Sequence, residues 1–345
     1  MLPGRSGAVW GLAGVVAFSF TVPFTRVAVG GMSPLFIGAG RAVVAAALAA
    51  AALALTRQRR PTGRQWARLA VVAGGVVAGF PLLTSFALTR APAAHGAVVI
   101  GLLPAATAVM AVLRGQERPA PRFWVFAGLG AVAAVLFAGL ANGGPIRLHP
   151  ADLLLFAAVL AAAIGYAEGG LLARELGSWP TISWALVLAA PLMTGLMTLS
   201  IVRRPPAGTP AEWAAFGYLA VVSMFLGFFA WYRGLAIGPM ARVSQVQLVQ
   251  PVLSIAWAVL LLGEPVGAVT VAGGLIVVVA AGLAVRVRLA GPAAVPDRAA
   301  VRSGRPDRHQ PRPRLREPRD RSRTSAVGRT PEPDPSITPA RSTIP

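Results

Sequence analysis

The chain has no cysteine and no lysine, and it has few acidic residues. All 32 of its basic residues are arginine, 12 residues are acidic, and three are histidine (His95, His149 and His309). Without cysteine there are no disulfide bonds, no thiolate catalysis and no thiolate metal sites. The three histidines are scattered, so we expect no metal site and no cofactor.

Long apolar runs are what the chain has in abundance. Of its 345 residues, 55% are hydrophobic and only 13% are charged. A helix of about 20 residues rises roughly 30 Å, the thickness of a bilayer's hydrocarbon core. The sequence therefore predicts an all-α polytopic membrane protein with ten transmembrane helices. The predicted spans 1 to 10 are roughly 7–29, 33–55, 68–88, 93–113, 123–141, 151–172, 181–201, 213–235, 239–262 and 266–286.

An internal duplication organises these spans. Residues 232–264 lie 147 positions after residues 85–117, and nine of the 33 aligned positions are identical. The identical positions include Pro104 with Pro251 and Glu117 with Glu264. A period this long indicates a duplicated domain rather than a solenoid. Five spans per copy is an odd number, so the second copy must enter the membrane in the opposite direction. We therefore predict two inverted five-helix repeats, at 7–141 and 151–287.

Arginine placement predicts the orientation of the chain. With the N-terminus inside, the inner segments hold 14 arginines and the outer segments hold five, although Arg203 and Arg204 lie on the disfavoured side. The excess favours a bacterial inner-membrane protein with both termini in the cytoplasm. Residues 290–345 hold 11 prolines, 12 arginines and no aromatic residue, which predicts a disordered cytoplasmic tail. Lacking stacking side chains, the tail is not expected to bind nucleic acid; we expect it to rest near anionic lipid.

Each repeat carries a proline near the middle of a span, Pro104 in span 4 and Pro251 in span 9. A proline within a helix removes one hydrogen bond and frees the carbonyl four residues earlier, here at Ile100 and Gln247. A freed carbonyl at this depth must face protein or a water-filled cavity. The pattern indicates either two hinges beside a central cavity or two tolerated kinks.

Span 9 also carries a polar stripe that its counterpart in the first repeat lacks. Gln247, Gln250 and Ser254 share one helix face at spacing i, i+3 and i+7, and Ser244 lies nearby. Unpaired polar groups are costly in lipid. The stripe should therefore bond to another helix or contact a solute in a cavity. Because it carries no charge, it suits an uncharged or zwitterionic solute, such as an amino acid or a drug-like amphiphile.

Three ionisable residues lie in or near the apolar zone: Glu168, Arg41 and His95. Intramembrane charges indicate function or mutual pairing. Glu168 either carries a proton or neutralises an arginine. Glu117 and Glu264 lie at helix ends, which suits gating or capping. Aromatic residues expected to line a cavity are Trp10, Phe18, Tyr166, Trp231 and Tyr232, although Trp10 and Trp231 would also serve as membrane-interface anchors.

Three groups of motifs stand out: Phe86-Ala87-Leu88 with Pro104 and Glu117; Ser33-Pro34 followed by Arg41; and Trp231-Tyr232-Arg233-Gly234-Leu235-Ala236 with Pro251 and Leu262-Gly263-Glu264-Pro265. On these residues, and over about residues 10–287, the chain resembles the drug/metabolite transporter superfamily, and within it the ten-helix proteins with two EamA domains. Gln116 stands where the family usually has glycine. The resemblance implies a permease or exporter of small metabolites, with a cavity between the repeats and coupling to protons or another gradient.

Together these features predict a secondary transporter that works by alternating access at a midplane cavity. A membrane-embedded enzyme would need clustered acids, histidines or a nucleophile–base pair, which the sequence does not supply. A non-transporting scaffold whose tail recruits partners is the other alternative. Substrate, direction, coupling ion and oligomeric state are left open by the sequence.

Overall fold

The computed structural model describes residues 3–115, 120–140, 148–237 and 246–290. Within these ranges the chain is helical and contains no strand. Eight helical stretches are long and apolar enough to cross a bilayer: Gly7–Gly31, Pro34–Leu55, Gly63–Ala87, Ala93–Arg114, Pro121–Leu140, Pro150–Leu176, Ser178–Arg203 and Pro210–Ile237. Two further apolar helices, Val249–Leu262 and Ala268–Ala290, belong to spans 9 and 10. The predicted all-helical fold with ten spans is confirmed. Residues 291–345, Glu117 and Ser244 lie outside the described residues.

Polar residues and prolines determine where several spans begin. The Ser33 hydroxyl accepts a hydrogen bond from the amide of Phe36 at 3.1 Å, directly before Pro34. At the start of span 8, the Thr209 hydroxyl accepts from the amide of Glu212 while the Glu212 carboxylate accepts from the amide of Thr209. The first amides of a helix have no partner within it, so these caps stabilise the beginnings of the spans.

Spans 4 and 9, the repeat-equivalent helices, run antiparallel beside each other. Glu264 follows the last helix of span 9, and its carboxylate accepts hydrogen bonds from the amides of Ala93 and Ala94 at the start of span 4, both at 2.8 Å. Halfway along, a Cβ atom at Gly101 of span 4 would lie 3.3 Å from the Cβ atom of Pro251 in span 9. The end of one span thus meets the beginning of the other, as an inverted repeat requires.

Spans 4 and 9 are interrupted rather than bent. Span 4 consists of the helices Ala93–Ile100 and Leu103–Gly115, separated by a turn at Gly101 and Leu102. In span 9 a turn at Gln247 and Leu248 precedes the helix Val249–Leu262. Pro104 and Pro251 therefore lie in the first turn of a new helix, where a missing amide proton sacrifices no hydrogen bond. The sequence had predicted a proline inside a continuous helix.

Spans 3 and 8 share a feature that the sequence did not predict. Span 3 is π-helical over Ala73–Gly79, between the α-helices Gly63–Val72 and Phe80–Ala87. Span 8 is π-helical over Leu219–Leu226, between Pro210–Tyr218 and Gly227–Ile237. Shifted by the repeat offset of 147, the first π segment falls on residues 220–226 of the second. The two repeats therefore share a π-helical segment at equivalent positions as well as their α-helices.

Two glycines allow spans 3 and 6 to approach closely. A Cβ atom added to Gly75 would collide with the carbonyl oxygen of Ala161 and would lie 3.0 Å from the Cα atom of Gly165. A Cβ atom on Gly165 would lie 2.7 Å from the Val76 side chain. Span 3 belongs to the first repeat and span 6 to the second, so this contact is part of the interface between the repeats.

Replacing Gly75 with alanine tests this close approach. Gly75→Ala should force spans 3 and 6 apart and destabilise the protein by about 1–3 kcal/mol, the usual effect of overpacking. Thermal unfolding of the purified protein in detergent measures the change. Gly74→Ala is the matched control, because a Cβ atom at Gly74 meets nothing within 4 Å. Equal melting temperatures for the two variants would contradict the packing described.

Candidate functional site: a central cavity between the repeats

A small central cavity lies between the two repeats. Its wall is built by spans 1, 2 and 3 of the first repeat and by spans 6, 8 and 9 of the second. Four residues that the sequence marked as candidates meet there from four different spans: Phe18, Arg41, Tyr166 and Gln250.

The sequence did not indicate several other residues of the cavity wall. Thr21 and Ser223 both line it, and their hydroxyl oxygens lie 2.8 Å apart in a hydrogen bond that joins span 1 to span 8. Val76, also in the wall, occupies the repeat-equivalent position of Ser223, and both belong to the π segments. The duplication predicts that Val76 and Ser223 correspond. Only the π-helical geometry shows that both line the cavity. Such irregular turns are frequent at functional sites.

Aromatic rings form one side of the cavity. The ring centroids of Phe18 and Phe228 are 4.9 Å apart, and those of Phe18 and Tyr166 are 6.4 Å apart. Trp231 packs behind them, with its centroid 5.7 Å from that of Tyr166, and it is almost fully buried. Trp10 instead lies at the surface, where the Arg233 guanidinium stacks over its ring at 5.1 Å. These rings offer an apolar solute a broad contact area.

Tyr232, the fifth aromatic candidate, is fully buried and does not line the cavity wall. Its hydroxyl donates a hydrogen bond to the carbonyl oxygen of Gly165 at 3.4 Å, which joins span 8 to span 6. Its ring packs 5.5 Å from that of Phe228. Tyr232 therefore supports the aromatic wall from behind.

Arg41 presents a guanidinium to the same cavity. Its side chain comes from span 2 and the residue is 1% exposed. Its Nε and Nη2 atoms have no hydrogen-bond partner among the described residues. Of the described residues that line the cavity, none is acidic. The cavity therefore combines apolar walls with a single positive group.

A second, smaller void lies where the turn of span 4 and the turn of span 9 approach each other. Its lining contains repeat-equivalent pairs: Pro104 with Pro251, Ile100 with Gln247, and Leu103 with Gln250. Gln250 lines both this void and the central cavity. The two proline sites, predicted as hinges, thus lie next to each other and next to the cavity.

The polar stripe of span 9 divides into two parts with different surroundings. The Ser254 hydroxyl donates to the carbonyl oxygen of Ser19 at 2.7 Å, so it joins span 9 to span 1. Both polar atoms of the Gln247 side chain and the Oε1 atom of Gln250 are buried and have no hydrogen-bond partner among the described residues. Ser254 is thus an interhelical contact, whereas the two glutamines present unpaired groups to the voids.

At one end of the bundle, here called the Glu168 end, charged side chains join the two repeats. The buried carboxylate of Glu168 in span 6 accepts hydrogen bonds from Arg68 of span 3 and from Arg114 of span 4, with the Arg114 Nε atom 2.9 Å away. Arg68 also pairs with the more exposed Glu175. Two arginines compensate the charge of Glu168, and its coupling role stays a prediction.

At the opposite end, here called the Glu264 end, other polar contacts join the repeats. The His95 Nε2 atom of span 4 lies 2.7 Å from Oδ1 of Asp152 in span 6, and both residues are buried. The other oxygen of Asp152 accepts from the amide of His149 at 2.7 Å. Glu264 caps span 4 at this end. The sequence did not single out Asp152, because its partner lies 57 positions away.

Comparison with known proteins identifies the chain. The model of the EamA-like transporter family matches residues 5–139 and 149–286, one match for each repeat. This chain belongs to the EamA-like transporter family. It is 44% identical over 281 residues to an uncharacterized transporter, YdeK, of Bacillus subtilis (strain 168), a match that covers 79% of this chain and 94% of that protein. A crystal structure of a protein with 20% identity has the same fold, with a TM-score of 0.59 over 84% of this chain and all of the other.

Family membership determines the broad activity of this EamA protein. It is a multi-pass membrane transporter of small solutes, and the family and its relative point to transport rather than to an enzyme. The described residues contain no group of three or more His, Asp or Glu side chains placed to hold a metal ion.

Removing the Glu264 carboxylate tests the contact between the ends of spans 9 and 4. Glu264→Ala leaves the amides of Ala93 and Ala94 without acceptors and should destabilise the protein by about 1–2 kcal/mol, as the loss of a helix cap does. Hydrogen–deuterium exchange should accelerate at the first turn of span 4 and stay unchanged at the separate cap at Ser33. Unchanged exchange at residues 93–96 would show that the contact does not form.

Proposed function

We propose that this EamA protein carries amino-acid-like or drug-like solutes across the bacterial cell membrane by alternating access, with the central cavity as the binding site. The observation that carries the proposal is the position of the cavity between the repeats, with three spans from each in its wall. A site in this position faces one side of the membrane or the other when one repeat rocks against its partner.

Contacts between the repeats at both ends of the bundle support this proposal. At the Glu168 end, Glu168 of the second repeat binds Arg68 and Arg114 of the first. At the Glu264 end, Asp152 of the second repeat binds His95 of the first, and Glu264 caps span 4. Opening either end requires breaking the contacts at that end while the other set holds, so we assign these two sets as alternating gates.

The interruptions of spans 4 and 9 supply the flexible points. Each consists of a short turn followed by a helix with proline in its first turn, and the two lie against the same void. A turn between two short helices can change its dihedral angles without breaking a continuous hydrogen-bond ladder. We therefore assign Pro104 and Pro251 to the hinges on which the gate-bearing halves of spans 4 and 9 move.

Cysteine accessibility tests this mechanism directly, because the native chain has no cysteine to interfere. Ser223→Cys places one thiol in the cavity wall. In vesicles of known orientation, a membrane-impermeant maleimide should label this thiol from either face during transport. Adding Glu168→Gln removes the carboxylate charge between two arginines, and labelling from the Glu168 end should rise about 10-fold, a shift of about 1.4 kcal/mol in the conformational equilibrium.

Glu212→Gln is the matched control for loss of a carboxylate. Its carboxylate caps its own helix at Thr209 and takes no part in either gate, so labelling of Ser223→Cys should stay near the parent level. Labelling from one face only, in protein that still moves solute, would rule out alternating access at this cavity. A screen of metabolite and drug flux in the same vesicles, with and without a pH gradient, identifies the solute and its coupling.

A further inference from the structure

We propose that the central cavity contains a carboxylate-binding subsite at Arg41, so that the transported solute is an amphipathic monocarboxylate. This inference rests on the proposed function, because it names the class of solute for the same cavity. It differs from the expectation drawn from span 9 alone, whose stripe carries no charge and favoured an uncharged or zwitterionic solute.

The first argument compares Arg41 with the other described buried charged residues of this protein, each of which has a partner. Glu168 is 1% exposed and is compensated by Arg68 and Arg114. Asp152, also 1% exposed, is bound by His95 and by a backbone amide. Arg41 is equally buried, yet its Nε and Nη2 atoms find no acceptor among the described residues. An uncompensated buried charge carries a large desolvation cost, so an anionic partner that arrives with the solute would recover much of it.

The second argument is the composition of the cavity wall. None of the described residues in it is acidic, and the hydroxyls of Thr21 and Ser223 are already bonded to each other. A guanidinium offers parallel N–H donors that match the two oxygens of a carboxylate. A phosphate dianion would call for further cations, and among the described residues of the wall Arg41 is the one cation. The wall therefore favours one carboxylate over a phosphate.

The rest of the solute follows from the remaining walls. Phe18, Tyr166 and Phe228 present aromatic surface on one side of the cavity, which suits an apolar or aromatic body. The Oε1 atom of Gln250 is a buried acceptor without a partner among the described residues. A solute that also carries a donor, such as the ammonium of an α-amino acid, would use it. Binding therefore requires a carboxylate on the solute, whereas a hydrogen-bond donor on the solute is optional.

A series of phenyl-bearing probes tests the subsite on the purified full-length protein by ligand-induced thermal stabilisation. We expect 3-phenylpropionate and phenylalanine to raise the melting temperature. The neutral amide 3-phenylpropanamide, the cation 2-phenylethylamine and phenyl phosphate should not. Arg41→Met should weaken apparent affinity for the carboxylates about 100-fold, as removal of a buried charged partner does. Arg41→Lys keeps the charge but loses the paired donors, and should give an intermediate loss.

The empty protein supplies a second readout. Arg41→Met removes an uncompensated buried charge, so the variant without ligand should melt at a higher temperature than the native protein. If Arg41 instead stabilised the fold, Arg41→Met would melt at a lower temperature than the native protein. A lower melting temperature for empty Arg41→Met, or equal stabilisation of the native protein by the amide and the carboxylate, overturns the subsite. Stabilisation by phenyl phosphate and by none of the other probes would also overturn the subsite.

The two proposals fail in distinguishable ways. If Ser223→Cys is labelled from both faces but the amide binds as well as the carboxylate, the carboxylate subsite is wrong and alternating access stands. If carboxylate binding depends on Arg41 but labelling occurs from one face only, the subsite stands and the transport mechanism is wrong. Binding to purified protein needs no conformational cycle, which keeps the two readouts separate.

Discussion

A helix that stops halfway across a membrane must place its broken backbone against protein, because lipid offers no hydrogen bonds. Span 4 stops in this way at Gly101 and Leu102, and in the described part of span 9 a turn at Gln247 and Leu248 precedes the helix Val249–Leu262. The inverted repeat lets each interruption face the other across a shared void. This arrangement places irregular backbone and unpaired polar groups next to the central cavity, between the repeats. The proposed gates at the two ends, and the central cavity between them, depend on it.

The duplication preserved the backbone and let the cavity-facing side chains diverge. Both repeats keep the proline, the interruption and the π segment at equivalent positions. Around the central cavity and the smaller void the equivalent positions differ: Ile100 corresponds to Gln247, Leu103 to Gln250, and Val76 to Ser223. In the mechanism proposed above, two structurally similar halves rock against each other and an asymmetric solute binds between unlike walls. The mixture of shared backbone and unlike lining is consistent with that proposal.

The buried polar groups divide into those that bind partners in the other repeat and those that have unpaired atoms. Glu168 and Asp152 each bind partners in the other repeat, so they close the interface as well as satisfying their charges. Arg41 and Gln247 are as deeply buried and have unpaired atoms within the described part of the chain. Unpaired groups lower the stability of the empty protein. Their location beside the voids fits a site whose partners arrive with the solute.

The amino-acid sequence alone determined the ten spans, the duplication and its inversion, because apolar length, an offset of 147 and an odd span count are local or countable properties. It also marked Phe18, Arg41, Tyr166 and Gln250, since polar and aromatic residues stand out in apolar runs. Only the tertiary structure decided the role of each polar group. Ser254 and Gln247 lie on one helix face, yet the Ser254 hydroxyl bonds to Ser19, which lies 235 positions away, whereas the Gln247 side chain has no hydrogen-bond partner among the described residues. Packing between distant spans decides such pairings, and helical periodicity carries no information about it.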